Sequence, residues 1–352
     1  TFGAAGNTEV KTTNSAVGSA DDIDVGGGRN IVIGGAAGDD IDVNGTMTNA
    51  SAIVLGDNGT ILLTNSGTLL SIVSTDFAAG AVDTIDVTSG TNAIIGGQGA
   101  DIITADGGTN TVLGDDGQAF FFTDGTLRLI ESTNLGNGAN DIITLQGGTN
   151  NVIAGFGADV IAAGGGTNYI LGDEGRREVL TDGTGAKSGT TEIYTLNSAN
   201  GGIDDIDISA GFNVVVGGAA GDTIDVTGSA TNADGTILGD NGKIVLDNSG
   251  TLLSIESTDY AAGAKDIINL SAGTNAVVGG KGDDEITAGS GTNTILGDDG
   301  KAIFYSTGNL QSIESQNLGN GGNDIINLDA GTNTVIGGAG ADSITATTGV
   351  NT

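Results

Sequence analysis

Apolar residues return along this chain in steps of nine. Ile85, Ile94, Ile103, Val112, Phe121 and Ile130 stand nine apart, and after one step of 13 the series resumes at Ile143, Val152, Ile161, Ile170 and Val179. An α-helical stripe needs apolar positions three to four apart, so the pattern predicts short strands joined by tight turns. The markers are mostly β-branched, as a pleated buried surface favours. The turns between them are rich in Gly, which reaches positive φ without steric cost. Pro is absent from all 352 residues, as expected where inner strands donate to a ladder on both sides.

Two turn types alternate. Two residues before successive markers stand Asp83, Asn92, Asp101 and Asn110, and the next block repeats this as Asp141, Asn150, Asp159 and Asn168. Like turns therefore recur every 18 residues. The economical geometry is a flattened coil with two short strands per 18-residue turn, Asp-type turns on one edge and Asn-type turns on the other. Counting strand markers predicts about 17 coils, a rod about 80 Å long at ~4.8 Å per coil. A three-sided coil is the rival geometry, but it would mix both turn types on every edge.

A longer repeat is superimposed. The phrase Leu-Gly-Asp-(Asn/Asp/Glu)-Gly occurs at 55–59, 113–117, 171–175, 238–242 and 296–300. Residues 69–117 recur with few changes at 252–300, a shift of 183. Residues 1–352 thus read as one continuous solenoid of nearly two 183-residue super-repeats, 1–183 and 184–352, each of about nine coils. No polar capping repeat is visible at Thr1 or Thr352, so each end is expected to meet another copy. The start at Thr1, without Met or leader, reads as a mature product or an excerpt.

Composition narrows the chemistry. Cys and His are absent, which excludes disulfides, thiolate zinc sites and the usual general base. Ten Lys and Arg stand against 44 Asp and Glu, a net charge of −34 that argues against nucleic acid and anionic membranes. No apolar run is long enough to span a bilayer. A hydrolase triad lacks its His, and no Gly-Lys-(Ser/Thr) follows the Gly-rich turns, so the chain is not expected to be an enzyme.

GGQGADIIT at 96–104 resembles the nonapeptide G-G-x-G-x-D-x-U-x of the haemolysin-type calcium-binding (RTX) repeat proteins of secreting bacteria. AGFGADVIA (154–162), GGKGDDEIT (279–287) and GGAGADSIT (338–346) are similar, and GGAAGDDID (34–42) and GGAAGDTID (217–225) have the glycine displaced by one place. The resemblance implies an all-β, right-handed parallel β-roll (a β-solenoid) outside the cell, with multiple Ca²⁺ in the Asp-type turns. Family members carry Asp turns on both edges. Here the second edge is Gly-Thr-Asn, which predicts a hydrogen-bonded Asn/Thr ladder with little metal.

The acidic edge is expected to hold Asp21, Asp39, Asp57, Asp83, Asp101, Asp115, Asp141, Asp159, Asp173, Asp204, Asp222, Asp240, Asp266, Asp284, Asp298, Asp324 and Asp342. In stacked coils these charges stand ~5 Å apart and repel by about 0.8 kcal/mol per pair in water, or about 3 kcal/mol at an effective dielectric near 20. Ca²⁺ accepts six to eight hard oxygens with loose geometry, whereas Mg²⁺ wants a strict octahedron. Two alternatives stay open: a metal-free solenoid, since Asp and Asn form turns without metal, and a merely solvated acidic face. Asp57, Asp115, Asp173, Asp240 and Asp298 sit early in their turns, with Ala119 where the acid after Asp115 should stand.

Three further features bear on function. Phe120–Phe122 and Ile303–Tyr305 read as interior packing rather than a binding platform. Ser-Ile-Glu-Ser at 254–257 and 312–315 breaks the Asn edge, and the 13-residue step after it inserts about four residues, a bump that is either a lateral contact or a tolerated insertion. Thr91, Thr109, Thr149, Thr167, Thr274, Thr292 and Thr332 precede the Asn residues and offer an array for a ligand or ice, one that the Ser-Ile-Glu-Ser strand should interrupt. The expected function is a calcium-stabilised structural segment of a secreted bacterial filament, adhesin stalk or surface layer. Its expected partners are itself, end to end, and a cell-surface or matrix polysaccharide. A ligand- or ice-binding rod using the Thr/Asn turns is the alternative.

Overall fold

A computed structural model describes residues 6–45, 51–78, 80–88, 90–182, 185, 187–228, 233–319 and 321–352. Two parallel sheets form the roll. In the first, Thr84–Val87, Ile102–Ala105, Ile142–Leu145 and Val160–Ala163 pair in register, so that Ile85, Ile103, Ile143 and Ile161 stack. In the second, Gly90–Ile95, Gly108–Leu113, Gly148–Ile153 and Gly166–Leu171 do the same and stack Asn92, Asn110, Asn150 and Asn168. Asp-type turns join the sheets along one edge and Asn-type turns along the other, as the alternation predicts.

The coil count does not hold. Among the described residues, parallel pairing in the first sheet runs unbroken from Asp22–Gly26 to Ser343–Ala346 through twelve rungs, not 17. The rod is therefore nearer 55 Å than 80 Å, and each super-repeat is about six rungs. After every second rung the chain leaves the Asp edge and makes an antiparallel hairpin, such as Gly117–Phe121 with Leu127–Ser132. Successive hairpins pair with each other, as Gln118–Phe120 does with Ser71–Val73, and build a separate 11-stranded antiparallel sheet. The Ser-Ile-Glu-Ser strands belong to this sheet. A hairpin strand and a rung strand have similar length and the same apolar spacing, which is why nine-residue markers count both alike.

The result is three stacked sheets with two cores. Ile85, Ile103, Ile143 and Ile161 face Ile94, Val112, Val152 and Ile170 inside the roll. Ile95, Leu113 and Ile153, on the opposite face of the second sheet, pack against Ile72, Ala119 and Ile130 of the hairpins. The second sheet is thus buried on both faces, with strands that end in continuous apolar runs such as Ala93-Ile94-Ile95, whereas the first sheet alternates, Ile102 being 41% exposed and Ile103 fully buried. Each fully buried Ile contributes roughly 1.5–3 kcal/mol. Phe121 and Phe304 pack against the outer core, whereas Tyr305 is exposed, so interior packing holds for the middle residue of each stretch and not for Tyr305.

Candidate calcium ladder

The Asp edge is built from the turn Gly96-Gly97-Gln98-Gly99-Ala100-Asp101. Gly97 and Gly99 have φ of 115° and 139°, which only glycine adopts without strain. Where the glycine is displaced, Ala37 and Ala220 take φ of 89° and 80° instead. The turn delivers Asp101 to the start of the next strand with its side chain inside the edge.

Twelve of the predicted acids form one hydrogen-bonded ladder. The main-chain N–H of each donates to Oδ1 of the next: Asp21 to Asp39 at 2.8 Å, Asp39 to Asp83, Asp83 to Asp101, Asp101 to Asp141 and Asp141 to Asp159 at 2.7 Å. The series continues through Asp204, Asp222, Asp266, Asp284 and Asp324 to Asp342. The partner of a rung is 18 residues away where no hairpin intervenes and 40–45 away where one does.

One oxygen is left over in ten of the twelve carboxylates. Oδ2 of Asp39, Asp83, Asp101, Asp141, Asp159, Asp204, Asp222, Asp266, Asp284 and Asp324 is buried without a hydrogen-bond partner. Burial, above all, pushes Asp101 up to about 7, Asp83 to about 8 and Asp204 to about 9, the last also raised by the charges of Asp173 and Asp159. A buried carboxylate oxygen with no donor costs several kcal/mol unless it is protonated or meets a cation. The orphaned oxygens meet no cation of the chain among the described residues: Arg176 pairs with Glu131 at 2.9 Å and Lys243 with Glu192 at 2.8 Å on the hairpin sheet, and at the Asp edge Lys265 reaches Glu285 at 3.5 Å and Lys281 the carbonyl of Ala261 at 2.8 Å.

The surroundings of these oxygens suit a hard cation. A Cβ on Gly114 would lie 2.1 Å from Oδ2 of Asp141 and 2.5 Å from the carbonyl oxygen of Ala154, and a Cβ on Gly96, Gly172 or Gly239 would meet the equivalent pair. A column of glycines thus lets carboxylate and carbonyl oxygens draw close together along one lane. Among the described residues no three acidic side chains converge as a metal cluster, so main-chain carbonyls would complete any coordination shell. All-oxygen donors of loose geometry fit Ca²⁺.

The other five acids do not belong to this ladder, which corrects the single series of seventeen. Asp115 accepts N–H from Ala139 at 3.1 Å and from Phe156 at 2.6 Å; Asp173 accepts from Gly202 at 3.0 Å and Ala219 at 2.5 Å. Asp240 takes Ala264 and Lys281, Asp298 takes Gly322 and Ala339, and Asp57 takes Gln98. Each therefore ties the loop returning from a hairpin, or the turn above it, onto the roll. Their early turn position is where the hairpin leaves. They remain within the ladder's field: burial, then the charges of Asp115, Asp101 and Asp159, push Asp141 up to about 10.

A further set of residues escaped the sequence reading. The residue after each of these five acids holds the return loop. Asp116 accepts from Nδ2 of Asn134, which has φ of 54°, and Glu174 accepts from Nδ2 of Asn197, which has φ of 47°. The signal was the variable fourth residue of Leu-Gly-Asp-(Asn/Asp/Glu)-Gly: where it is Asn58 or Asn241, the positive-φ residue is instead Asp76 or Asp259.

The Asn edge is a neutral ladder, as expected from its composition. Nδ2 of Asn92 donates to Oδ1 of Asn110 at 2.9 Å, Asn110 to Asn150 at 2.9 Å, and Asn150 to Asn168 at 2.8 Å. Beside it Thr91, Thr109, Thr149 and Thr167 stand in register, as do Thr274, Thr292 and Thr332. The Ser-Ile-Glu-Ser strand does not interrupt them, because it lies in another sheet; Phe212 and Asp234 do.

No curated protein and no solved structure matches this chain. A family model for the RTX calcium-binding nonapeptide repeat matches four stretches, residues 83–120, 145–177, 270–301 and 318–352. The first three matches contain Asp101, Asp159 and Asp284 of the ladder, and the fourth contains Asp324 and Asp342. Among the described residues no helix is long and apolar enough to cross a membrane. The matched repeats are calcium-binding, there are several of them, and the sheets that carry them form the nearly closed parallel roll; the chain carries RTX calcium-binding nonapeptide repeats on a parallel β-roll.

Proposed function

We propose that the chain is a calcium-rigidified structural segment of an extracellular bacterial filament, adhesin stalk or surface layer, with Ca²⁺ along the Asp ladder. The observation that carries this reading is the run of ten buried, unpartnered Oδ2 atoms on consecutive rungs. Such a run is unfavourable with every carboxylate ionised and becomes favourable when each oxygen meets a divalent ion, so calcium would set whether the rod is stiff. End-to-end association of copies is part of the proposal. Val160–Ala163 of the first super-repeat already pairs in register with Asp205–Ile208 of the second, a template for one unit stacked on another. Electron micrographs and small-angle scattering in millimolar calcium and in chelator test the reading. Stiff rods or filaments that collapse in chelator support it; rods of unchanged length in chelator overturn it.

A second reading rests on the Thr column of the first super-repeat, which runs until Phe212. Thr91, Thr109, Thr149 and Thr167 repeat at the ~4.8 Å strand spacing, which suits an ordered lattice or a repeating ligand. A thermal-hysteresis assay separates an ice-binding rod from a structural one.

A further inference from the structure

The second parallel sheet and the hairpin sheet splay apart on the side of the hairpin tips. Two clefts result, about 480 Å³ beside Thr91 and Phe121, and about 410 Å³ beside Thr274 and Phe304. Both fall within the ~300–1,000 Å³ of small-molecule sites. They are the same place in the two super-repeats: Thr91, Asn92, Ala93 and Phe121 of one correspond to Thr274, Asn275, Ala276 and Phe304 of the other. Between them the space is closed by the chain itself. Tyr169 stands in the same register column as Ala93, Ala276 and Thr294, packs edge-on against Phe212 at 6.1 Å, and carries the guanidinium of Arg177 over its ring at 4.2 Å. A six-membered ring thus occupies this gap where the chain supplies one, and small residues leave it open where the chain does not.

We propose that the two clefts bind an uncharged polysaccharide chain. The lining pairs an aromatic ring, Phe304, and the apolar Leu252 with the hydroxyls of Thr251, Thr274 and Thr292, the combination that meets both the C–H faces and the hydroxyls of a pyranose. Charge selects against the alternatives. Arg29 lines the first cleft, where its guanidinium is engaged by the carbonyl of Gly67, and no Lys or Arg lines the second; with a chain charge of −34, an acidic glycan or a nucleic acid is repelled, most strongly from the second cleft. The one charged group there, Asp234, already accepts the N–H of Thr274 at 2.7 Å. An extended peptide would need free main-chain groups. The floor strands Ala233–Asp240, Ile267–Gly280 and Glu285–Asp298 and the wall strand Gly300–Phe304 are bonded on both sides and offer none; of the described strands at this cleft, the end strand Leu310–Ser315 has an unpaired side and touches the cleft through Leu310, so peptide binding is the competing outcome of the test.

The test uses the calcium-loaded chain on an array of neutral and acidic oligosaccharides, followed by calorimetry with the best neutral hexasaccharide. Two sites per chain are expected. Thr294→Tyr, which copies Tyr169 into the second cleft, and Ala93→Tyr in the first should each remove one site, and the double variant both. Phe304→Leu, which keeps an apolar side chain, should weaken its site at least tenfold, with circular dichroism confirming that each variant folds. Silence across all neutral oligosaccharides, binding confined to acidic ones or to peptides, or binding that survives the folded double variant would overturn the proposal.

Discussion

The main-chain N–H of Asp101 donates to Oδ1 of Asp141 at 2.7 Å, across 40 residues, while Oδ2 of Asp141 lies buried without a donor. The first half of this relationship stacks the rungs. The second half gives the stack its need for a cation, since the same carboxylate that bridges two rungs is half unsatisfied.

Calcium removal should unfold the roll at neutral pH. Ten such oxygens with ionised carboxylates oppose the fold, and 66 Gly residues add backbone entropy to the unfolded chain. Far-ultraviolet circular dichroism in millimolar calcium and in chelator checks this; an unchanged β signal at pH 7.5 would contradict it.

The calcium-free chain should regain structure in acid. Burial raises the ladder carboxylates from 3.8 to about 7 at Asp101 and about 10 at Asp141 in the folded state. A folded state with raised pKa values binds more protons than the unfolded chain, so stability falls as pH rises. The contribution is complete below about pH 4 and is lost progressively as pH climbs through the raised values. Thermal melts of calcium-depleted protein across pH 3–8 should show the melting temperature falling with pH, and calcium addition at pH 7 should release protons. A melting temperature that rises with pH would count against the ladder.

Asp141→Asn keeps an Oδ1 acceptor for the N–H of Asp101 but removes a charge. It should lower the number of bound calcium ions, measured by elemental analysis after gel filtration, and should raise the residual β signal in chelator. An unchanged ion count would place the metal elsewhere.

Asn110→Ala should act differently. Nδ2 of Asn110 donates to the carbonyl of Asp106 at 3.1 Å and to Oδ1 of Asn150 at 2.9 Å, and its Oδ1 accepts from Asn92. Loss of these buried bonds should cost about 1–3 kcal/mol with the calcium count intact. Parallel denaturation and elemental analysis separate the two edges.

Gly114→Ala tests the lane itself. Its Cβ would stand 2.1 Å from Oδ2 of Asp141 and 2.5 Å from a backbone carbonyl, so the rung must shift. We expect a lower melting temperature in calcium and fewer bound ions. Gly26→Ala, where a Cβ meets nothing within 4 Å, is the neutral control.

Much of the ladder was legible because it is local. The turn Gly96–Asp101 fixes its own geometry through Gly97 and Gly99, and a repeat stacked on itself places equivalent residues in register, so the twelve acids and the Asn92–Asn110–Asn150–Asn168 series could be read from spacing alone. Ile102 and Ile103 likewise announced one solvated and one buried face. The third sheet was not legible. Phe121 and Ile130 keep the nine-residue step of Val112 whether their strands continue the roll or pair as a hairpin, because period reports strand length and not which strand is the neighbour. That choice is made by packing. Leu113 and Ile153 make the outer face of the second sheet apolar, and a surface of that size must be covered, which the hairpins do through Ala119 and Ile130. Covering it moves Asp115 out of the ladder and onto the N–H groups of Ala139 and Phe156, so the tertiary structure alone separated Asp141, whose Oδ2 stays orphaned, from Asp115, both of whose oxygens the fold satisfies.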